Sequence, residues 1–167
     1  WAWKENRGKK MKQCIDKMLV ILPFEKDYYK NKWNWEVEYV GHPLVEVVNG
    51  FLANQLSSPE QLTEPTKKTI ALLPGSRKQE ILKKLPVMLE LSRFFPDYQF
   101  IVAKAPGQDD VFYQSMLAPY QNVGAVANQT YKLLTHSSAA LVTSGTATLE
   151  TALFGVPEVV CYKGSAI

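Results

Sequence analysis

Two short stretches of this chain carry residues suited to holding an anion. The first is Leu72-Leu73-Pro74-Gly75-Ser76-Arg77-Lys78-Gln79-Glu80-Ile81, where an apolar run meets a Pro-Gly turn and a helical pattern begins. Ser76 stands where an N-cap belongs, and Gln79 follows at capping-box spacing. Gly75 lets a ligand approach the main chain, and the free N–H groups of a helix start favour negative charge. Arg77 adds a planar fork of donors for phosphate oxygens. The same residues would also make an ordinary capped turn with a surface arginine. The pattern is neither a Walker A loop nor G-x-G-x-x-G, which weighs against mononucleotide phosphotransfer and dinucleotide binding.

The second stretch is Thr143-Ser144-Gly145-Thr146-Ala147-Thr148-Leu149-Glu150, again after an apolar run. Ser144, Gly145, Thr146 and Thr148 crowd hydroxyls and backbone N–H groups around one helix start. Glu150 lies about one turn inside. It can complete a cap or accept hydrogen bonds from the paired hydroxyls of a ribose, and capping with its dipole term is worth roughly 0.3–1 kcal/mol. Each stretch alone is ambiguous. Two anion-competent helix starts, one with Arg77 and one with Glu150, favour a nucleotide diphosphate.

Other reactive residues are sparse. Cys14 and Cys161 have no C-x-x-C or histidine partner at metal-ligand spacing and read as reduced, buried thiols. His42, in a Gly-His-Pro turn, could act as a base or a phosphate donor. A histidine there more often hydrogen-bonds the backbone. His136 precedes a buried strand and reads as structural. The first 17 residues hold six basic side chains (Lys4, Arg7, Lys9, Lys10, Lys12, Lys17) against Glu5 and Asp16, a local +4 in a chain of +3 overall. Such a segment attracts phosphates or an anionic membrane face, or is simply a solvated helix face. No groove-reading or base-stacking motif accompanies it, so nucleic acid is disfavoured.

These loops need a scaffold, and the pattern supplies one. Strands are predicted at 69–73, 100–103, 123–126, 139–142 and 159–162, with helices over 81–95, 110–119, 131–135 and 147–154 between them. Pro86 predicts a kink or restart in the first of these helices. Continuous apolar strands alternating with helices call for a parallel sheet covered on both faces, a Rossmann-like doubly wound α/β domain over residues 66–167. Upstream, the pattern predicts a helix over 4–17, strands at 18–22 and 37–40, a short helix over 27–33, and another over 43–56. Residues 57–65, polar with two prolines, read as a linker. With 46% hydrophobic and 21% charged residues, the chain is neither a disordered tail nor a disulfide scaffold. No run of about 18 apolar residues encodes a membrane span. The chain opens at Trp1 without a methionine and stops just after a strand, and is expected to be a piece of a longer protein.

Leu-Pro-Gly-Ser-Arg at 73–77, Thr-Ser-Gly-Thr-Ala-Thr-Leu-Glu at 143–150 and Phe-Gly-Val-Pro at 154–157 closely resemble the lipid-A-disaccharide synthase family. So do Trp-Ala-Trp-Lys at 1–4, Ile-Leu-Pro-Phe-Glu at 21–25 and Tyr-Val-Gly-His-Pro-Leu at 39–44, in order along essentially the whole chain. The resemblance implies a GT-B glycosyltransferase of two Rossmann-like domains facing a cleft. Residues 1–56 would be the last elements of its N-terminal acceptor domain, and 66–167 its C-terminal UDP-sugar-binding domain, cut short at the C-terminus. The family joins UDP-2,3-diacylglucosamine to 2,3-diacylglucosamine 1-phosphate, giving the β-1,6 disaccharide of lipid A and UDP. It needs no metal and no cofactor, because the UDP-sugar is a substrate.

By the same resemblance, Gly75, Ser76 and Arg77 would hold the diphosphate, and Ser144, Gly145, Thr146 and Thr148 would complete that cradle. Glu150 would hold the ribose, and the stretch 123–129, with Val126, would flank the uracil. The general base would belong to the N-terminal domain, which is largely absent, with His42 a minor candidate. The fragment is therefore expected to bind UDP and to be inactive alone. The parent protein would work in the cytoplasm, peripheral to the inner membrane of a Gram-negative bacterium, with a homo-oligomer left open. Trp1 and Trp3 are read as packing against the absent half. Trp33 and Trp35, taken as exposed, suit either that packing or an anionic bilayer. Two other readings stand beside this one. A UDP-GlcNAc 2-epimerase shares fold and donor, but the motifs at 1–4 and 41–43 argue against it. A non-catalytic α/β module such as a receiver would want acidic residues at strand ends, and Asp97, Asp109 and Asp110 are not so placed.

Overall fold

The computed structural model describes residues 4–57 and 67–162. Trp1, Trp3, most of the 57–65 segment and the last five residues lie outside them. The chain divides into two compact units, Trp1–Asn49 and Gly50–Ile167.

The first unit holds α1 (Arg7–Cys14), β1 (Leu19–Val20), α2 (Pro23–Trp33), β2 (Glu38–Tyr39) and the start of α3 (Pro43–Ser57). β1 and β2 pair in parallel, Leu19 opposite Glu38 and Val20 opposite Tyr39. Both are shorter than their apolar runs predict, and α2 starts four residues earlier than predicted. Pro23, with its preset φ, takes the first helical position. Glu25 reaches back to accept from the N–H groups of Ile21 (3.2 Å) and Leu22 (2.9 Å). At the other end, Lys12 Nζ donates to the carbonyls of Trp33 and Asn34.

Two sequence expectations fail in this unit. Trp35 is buried with Val20, Tyr29 and Val37, its ring edge-on to Tyr29 at 5.6 Å, and Trp33 packs against that cluster. A Cβ at Gly8 would collide with the Trp33 indole, so glycine makes room for it. A core this small recruits its largest apolar side chains, which removes Trp35 from any surface role. Cys14, expected to be buried, is exposed at the end of α1.

In the second unit β3 (Thr69–Leu73), β4 (Gln99–Lys104), β5 (Val123–Ala127), β6 (Ser137–Thr143) and β7 (Glu158–Cys161) form a parallel sheet in the order β5-β4-β3-β6-β7. The helices between them are α4 (Lys78–Ser92), α5 (Asp110–Leu117), α6 (Thr130–Thr135) and α7 (Thr146–Leu153). This is the Rossmann-like α/β arrangement that the apolar strands imply. Successive residues of β3 point to opposite faces. Leu72 joins Ile81, Leu85, Met88, Phe100 and Val102 on one side, while Ala71 and Leu73 join Leu134, Ala140 and Val142 on the other.

Two local expectations change here. α4 runs unbroken through Pro86. Ile81, Leu85, Met88 and Leu89 are buried on one side of it, and Pro86 is exposed on the other, where water can satisfy the carbonyl its ring leaves unpaired. Ser76 is not the N-cap. Arg77 takes that place with extended dihedrals, its carbonyl accepting from Ile81 N at 3.0 Å, and no side chain caps the helix.

Candidate functional site

The chain leaves β3 toward β4 and β5, then crosses back to build β6 and β7 on the other side. Connections therefore diverge between the carboxyl ends of β3 and β6, where open α/β sheets leave a crevice for ligands. A cavity of about 450 Å³ opens there. Its walls come from the turn after β3, the end of β4, the first turn of α6, and the β6–α7 junction.

Of the residues singled out from sequence, Gly75, Ser76, Ser144, Gly145, Thr146 and Glu150 all line this cavity. Two stretches some 70 residues apart thus form one surface. Gly75 has φ +104°, and a Cβ there would stand 2.8 Å from Glu80 Oε2, so only glycine fits without strain. Gly145, at φ +156° and ψ −159°, is the N-cap of α7. Nothing lies within 4 Å of where its Cβ would be, and no side chain caps the helix. The start of α7 presents bare main chain to the cavity, with the positive end of its dipole toward it, while α4 reaches the cavity through Glu80 and the Gly75-Ser76 turn that precedes it. Because Ser76 does not cap α4, its hydroxyl is free for a ligand.

Three expected residues fall outside the lining. The Arg77 side chain is 84% exposed, with Nη1 3.4 Å from Glu80 Oε1. It stands at the rim beside Ser76 and Glu80 rather than within the cavity. Thr148 donates its hydroxyl to the Gly145 carbonyl at 2.7 Å, which turns it onto its own helix. Val126 is half-buried against the cluster beneath the sheet.

The cavity also contains residues the sequence did not single out. Tyr131, in the first turn of α6, donates its hydroxyl to Glu150 Oε1 at 2.6 Å. Burial, the hydrogen bond to Glu150 and the charge of that carboxylate push the Tyr131 phenol up to about 12. Lys104, the last residue of β4, is 17% exposed at its side chain and pairs with Asp110 Oδ1 at 2.5 Å. Thr143, the last residue of β6, is buried, and its hydroxyl has no partner. The signal for Lys104 and Thr143 was positional: each ends a strand of the parallel sheet at its carboxyl edge. Tyr131 carried no such signal, because its role depends on two helices meeting.

Elsewhere the reactive residues have structural employment. His42 Nδ1 accepts from the Leu44 N–H at the start of α3. His136 Nδ1 lies 2.7 Å from the Lys132 carbonyl. Asp109 caps α5 through the Phe112 N–H, and Asp110 is tied to Lys104. Burial raises the half-buried Cys161 thiol, with Lys84 opposing. Among the described residues no three histidine, cysteine or acidic side chains gather as a metal site. Nor is any of their helices long and apolar enough to cross a membrane.

A five-stranded parallel sheet with a crevice at its switch point and two helix starts without side-chain caps defines a Rossmann-like α/β domain. The fold is similar to that of UDP-GlcNAc 2-epimerase from Neisseria meningitidis, solved with UDP-GlcNAc bound (TM-score 0.56, 19% identity, 75% of this chain and 38% of that one). It is also similar to the wall teichoic acid polymerase TagF (TM-score 0.50, 13% identity, 92% of this chain and 40% of that one). The family model for lipid-A-disaccharide synthetase, LpxB, matches residues 1–167, and the chain belongs to that family. It is 38% identical to the lipid-A-disaccharide synthase of Syntrophus aciditrophicus (strain SB) over all of this chain and 45% of that protein. Its identity to the Geobacter sulfurreducens enzyme of the same name is 35%, over all of this chain and 44% of that one. The chain thus spans a little under half the length of these relatives.

Proposed function

We propose that residues 66–167 are the UDP-sugar-binding half of a lipid-A-disaccharide synthase. Residues 1–56 would be the last elements of its acceptor domain, and 57–65 the linker. The whole enzyme transfers 2,3-diacylglucosamine from its UDP derivative to 2,3-diacylglucosamine 1-phosphate, forming the β-1,6 disaccharide and releasing UDP. One observation carries this reading: Ser76 and the Ser144–Thr146 turn, each at a helix start, share a cavity with the Glu150 carboxylate.

In this reading the diphosphate lies between the Gly75-Ser76 turn and Ser144-Gly145-Thr146, held by main-chain N–H groups and hydroxyls. Lys104 stands on the far wall, and Arg77 folds in from the rim. Glu150 takes the ribose diol, and the turn after β5 flanks the uracil through its backbone. Inverting transfer needs a base to deprotonate the acceptor hydroxyl and a positive field for the charge growing on departing UDP. The cradle provides the second. The base would come from the acceptor domain, so this chain alone would bind UDP without turning over. No metal or cofactor enters the scheme, and the enzyme would act at the cytoplasmic face of the inner membrane, where its lipid substrates reside.

The test is calorimetric titration of the chain with UDP and with GDP. A clear preference for UDP is expected. Equal affinity for the two, or no binding of either, would favour a non-catalytic α/β module. Catalysis of UDP-GlcNAc epimerisation by the full-length protein would favour the epimerase reading.

A further inference from the structure

Glu150 does not stand free in the cavity. Tyr131 meets the face of α7 that carries Glu150 at two points one turn apart. Its hydroxyl donates to Glu150 Oε1 at 2.6 Å, and its ring packs against Phe154, four residues on, with centroids 5.1 Å apart. Phe51, in the second half of α3, closes the group edge-on, 5.4 Å from Tyr131 and 5.9 Å from Phe154. The ring has little freedom, so the direction of its O–H is set by packing. Glu150 lines the cavity, and among the described residues nothing else hydrogen-bonds its carboxylate, so Oε2 is available.

A glutamate on a helix has three rotatable bonds, and the last is broad and soft. Without a second contact the carboxylate plane would turn, and a ligand diol would have to order it on binding. A short, charge-assisted hydrogen bond from a packed phenol removes that cost beforehand. The phenol keeps its proton far above neutral pH, so it acts as a permanent donor.

We propose that Tyr131 is a positioning residue: clamped by Phe51 and Phe154, it orients the Glu150 carboxylate toward a ribose diol and so gives the site its preference for ribonucleotides over 2′-deoxyribonucleotides. This rests on the assignment of Glu150 to the ribose made above. The mechanism requires no movement of Tyr131 and no proton transfer.

The experiment is calorimetric titration of the unsubstituted protein, Tyr131→Phe and Glu150→Gln with UDP and 2′-deoxy-UDP, with a thermal melt of each. Tyr131→Phe keeps the ring in its aromatic group and removes only the donor. The unsubstituted protein is expected to prefer UDP by about tenfold, the scale of one hydrogen bond to a charged group. Tyr131→Phe should lose most of that preference through weaker UDP binding, with 2′-deoxy-UDP affinity within about twofold. A full preference retained in Tyr131→Phe but lost in Glu150→Gln would overturn the role of Tyr131 and leave Glu150 on the ribose. Equal loss of affinity for both nucleotides in Tyr131→Phe would make Tyr131 merely structural and overturn the proposal. No preference in the unsubstituted protein, or a preference unchanged in Glu150→Gln, would remove the ribose assignment and the proposal together.

Discussion

Gly75 leaves the space that Glu80 fills. A Cβ on Gly75 would lie 2.8 Å from Glu80 Oε2, and the backbone there has φ +104°. The turn that opens the cavity therefore depends on a missing side chain at one position and a carboxylate five residues later. Gly75→Ala should lower stability by about 1–3 kcal/mol through backbone strain, and weaken UDP binding as the turn shifts. Gly75→Ala with Glu80→Ala relieves the collision but not the strain, so its melting temperature should recover only in part. Full recovery would mean that crowding alone selects glycine.

Arg77 tests the difference between a rim and a wall. Its guanidinium is mostly exposed and its pairing with Glu80 is long, so Arg77→Ala should move the melting temperature by no more than a few degrees. If the side chain folds onto the diphosphate when nucleotide binds, the same substitution in the full-length enzyme should cost on the order of 10²–10³-fold in turnover. Near-normal turnover would end its assignment to the phosphate.

Lys104 lines the cavity at the end of β4, and Asp110 holds it in an ion pair. Replacing Lys104 by Met should weaken UDP binding several-fold and reduce its sensitivity to salt, because a cation near the diphosphate is lost. Asp110→Asn should act in the reverse direction, strengthening UDP binding by releasing Lys104 from its ion pair. Titrations at two ionic strengths separate the two effects. Opposite signs are the outcome that places Lys104 in the cavity's field.

Tyr131 predicts an alkaline signature. Its phenol is pushed up to about 12 by burial and by Glu150, so the folded state holds that proton more tightly than the unfolded state does. The stability from this bond is fully present below the ordinary tyrosine range near 10, and is lost as pH rises toward 12. An absorbance titration of phenolate should show a late-ionising tyrosine that disappears in Tyr131→Phe and moves down in Glu150→Gln. Tyr29, Tyr113 and Tyr120 are also raised, so the difference between variants is the diagnostic quantity.

Both turns that line the cavity were legible in the primary structure because their demands are local. A strand end, a glycine and hydroxyl residues before a helical pattern lie within ten residues of one another, and apolar runs announce buried parallel strands. The chain likewise carried its family in its motifs, and β3 begins and ends at the residues its apolar run predicts. What it could not show was set by distance along the chain. Strand order brought Ser76 and Ser144 into one cavity and put Lys104 on its wall. Packing of α6 against α7 gave Glu150 its tyrosine, and packing in the smaller unit drew Trp35 inside. The dihedrals of Arg77 displaced Ser76 from the cap and freed its hydroxyl. Local pattern selects elements, because propensity and burial act over a few residues. Which side chains meet is decided when sheet order and helix packing close distances of tens of residues.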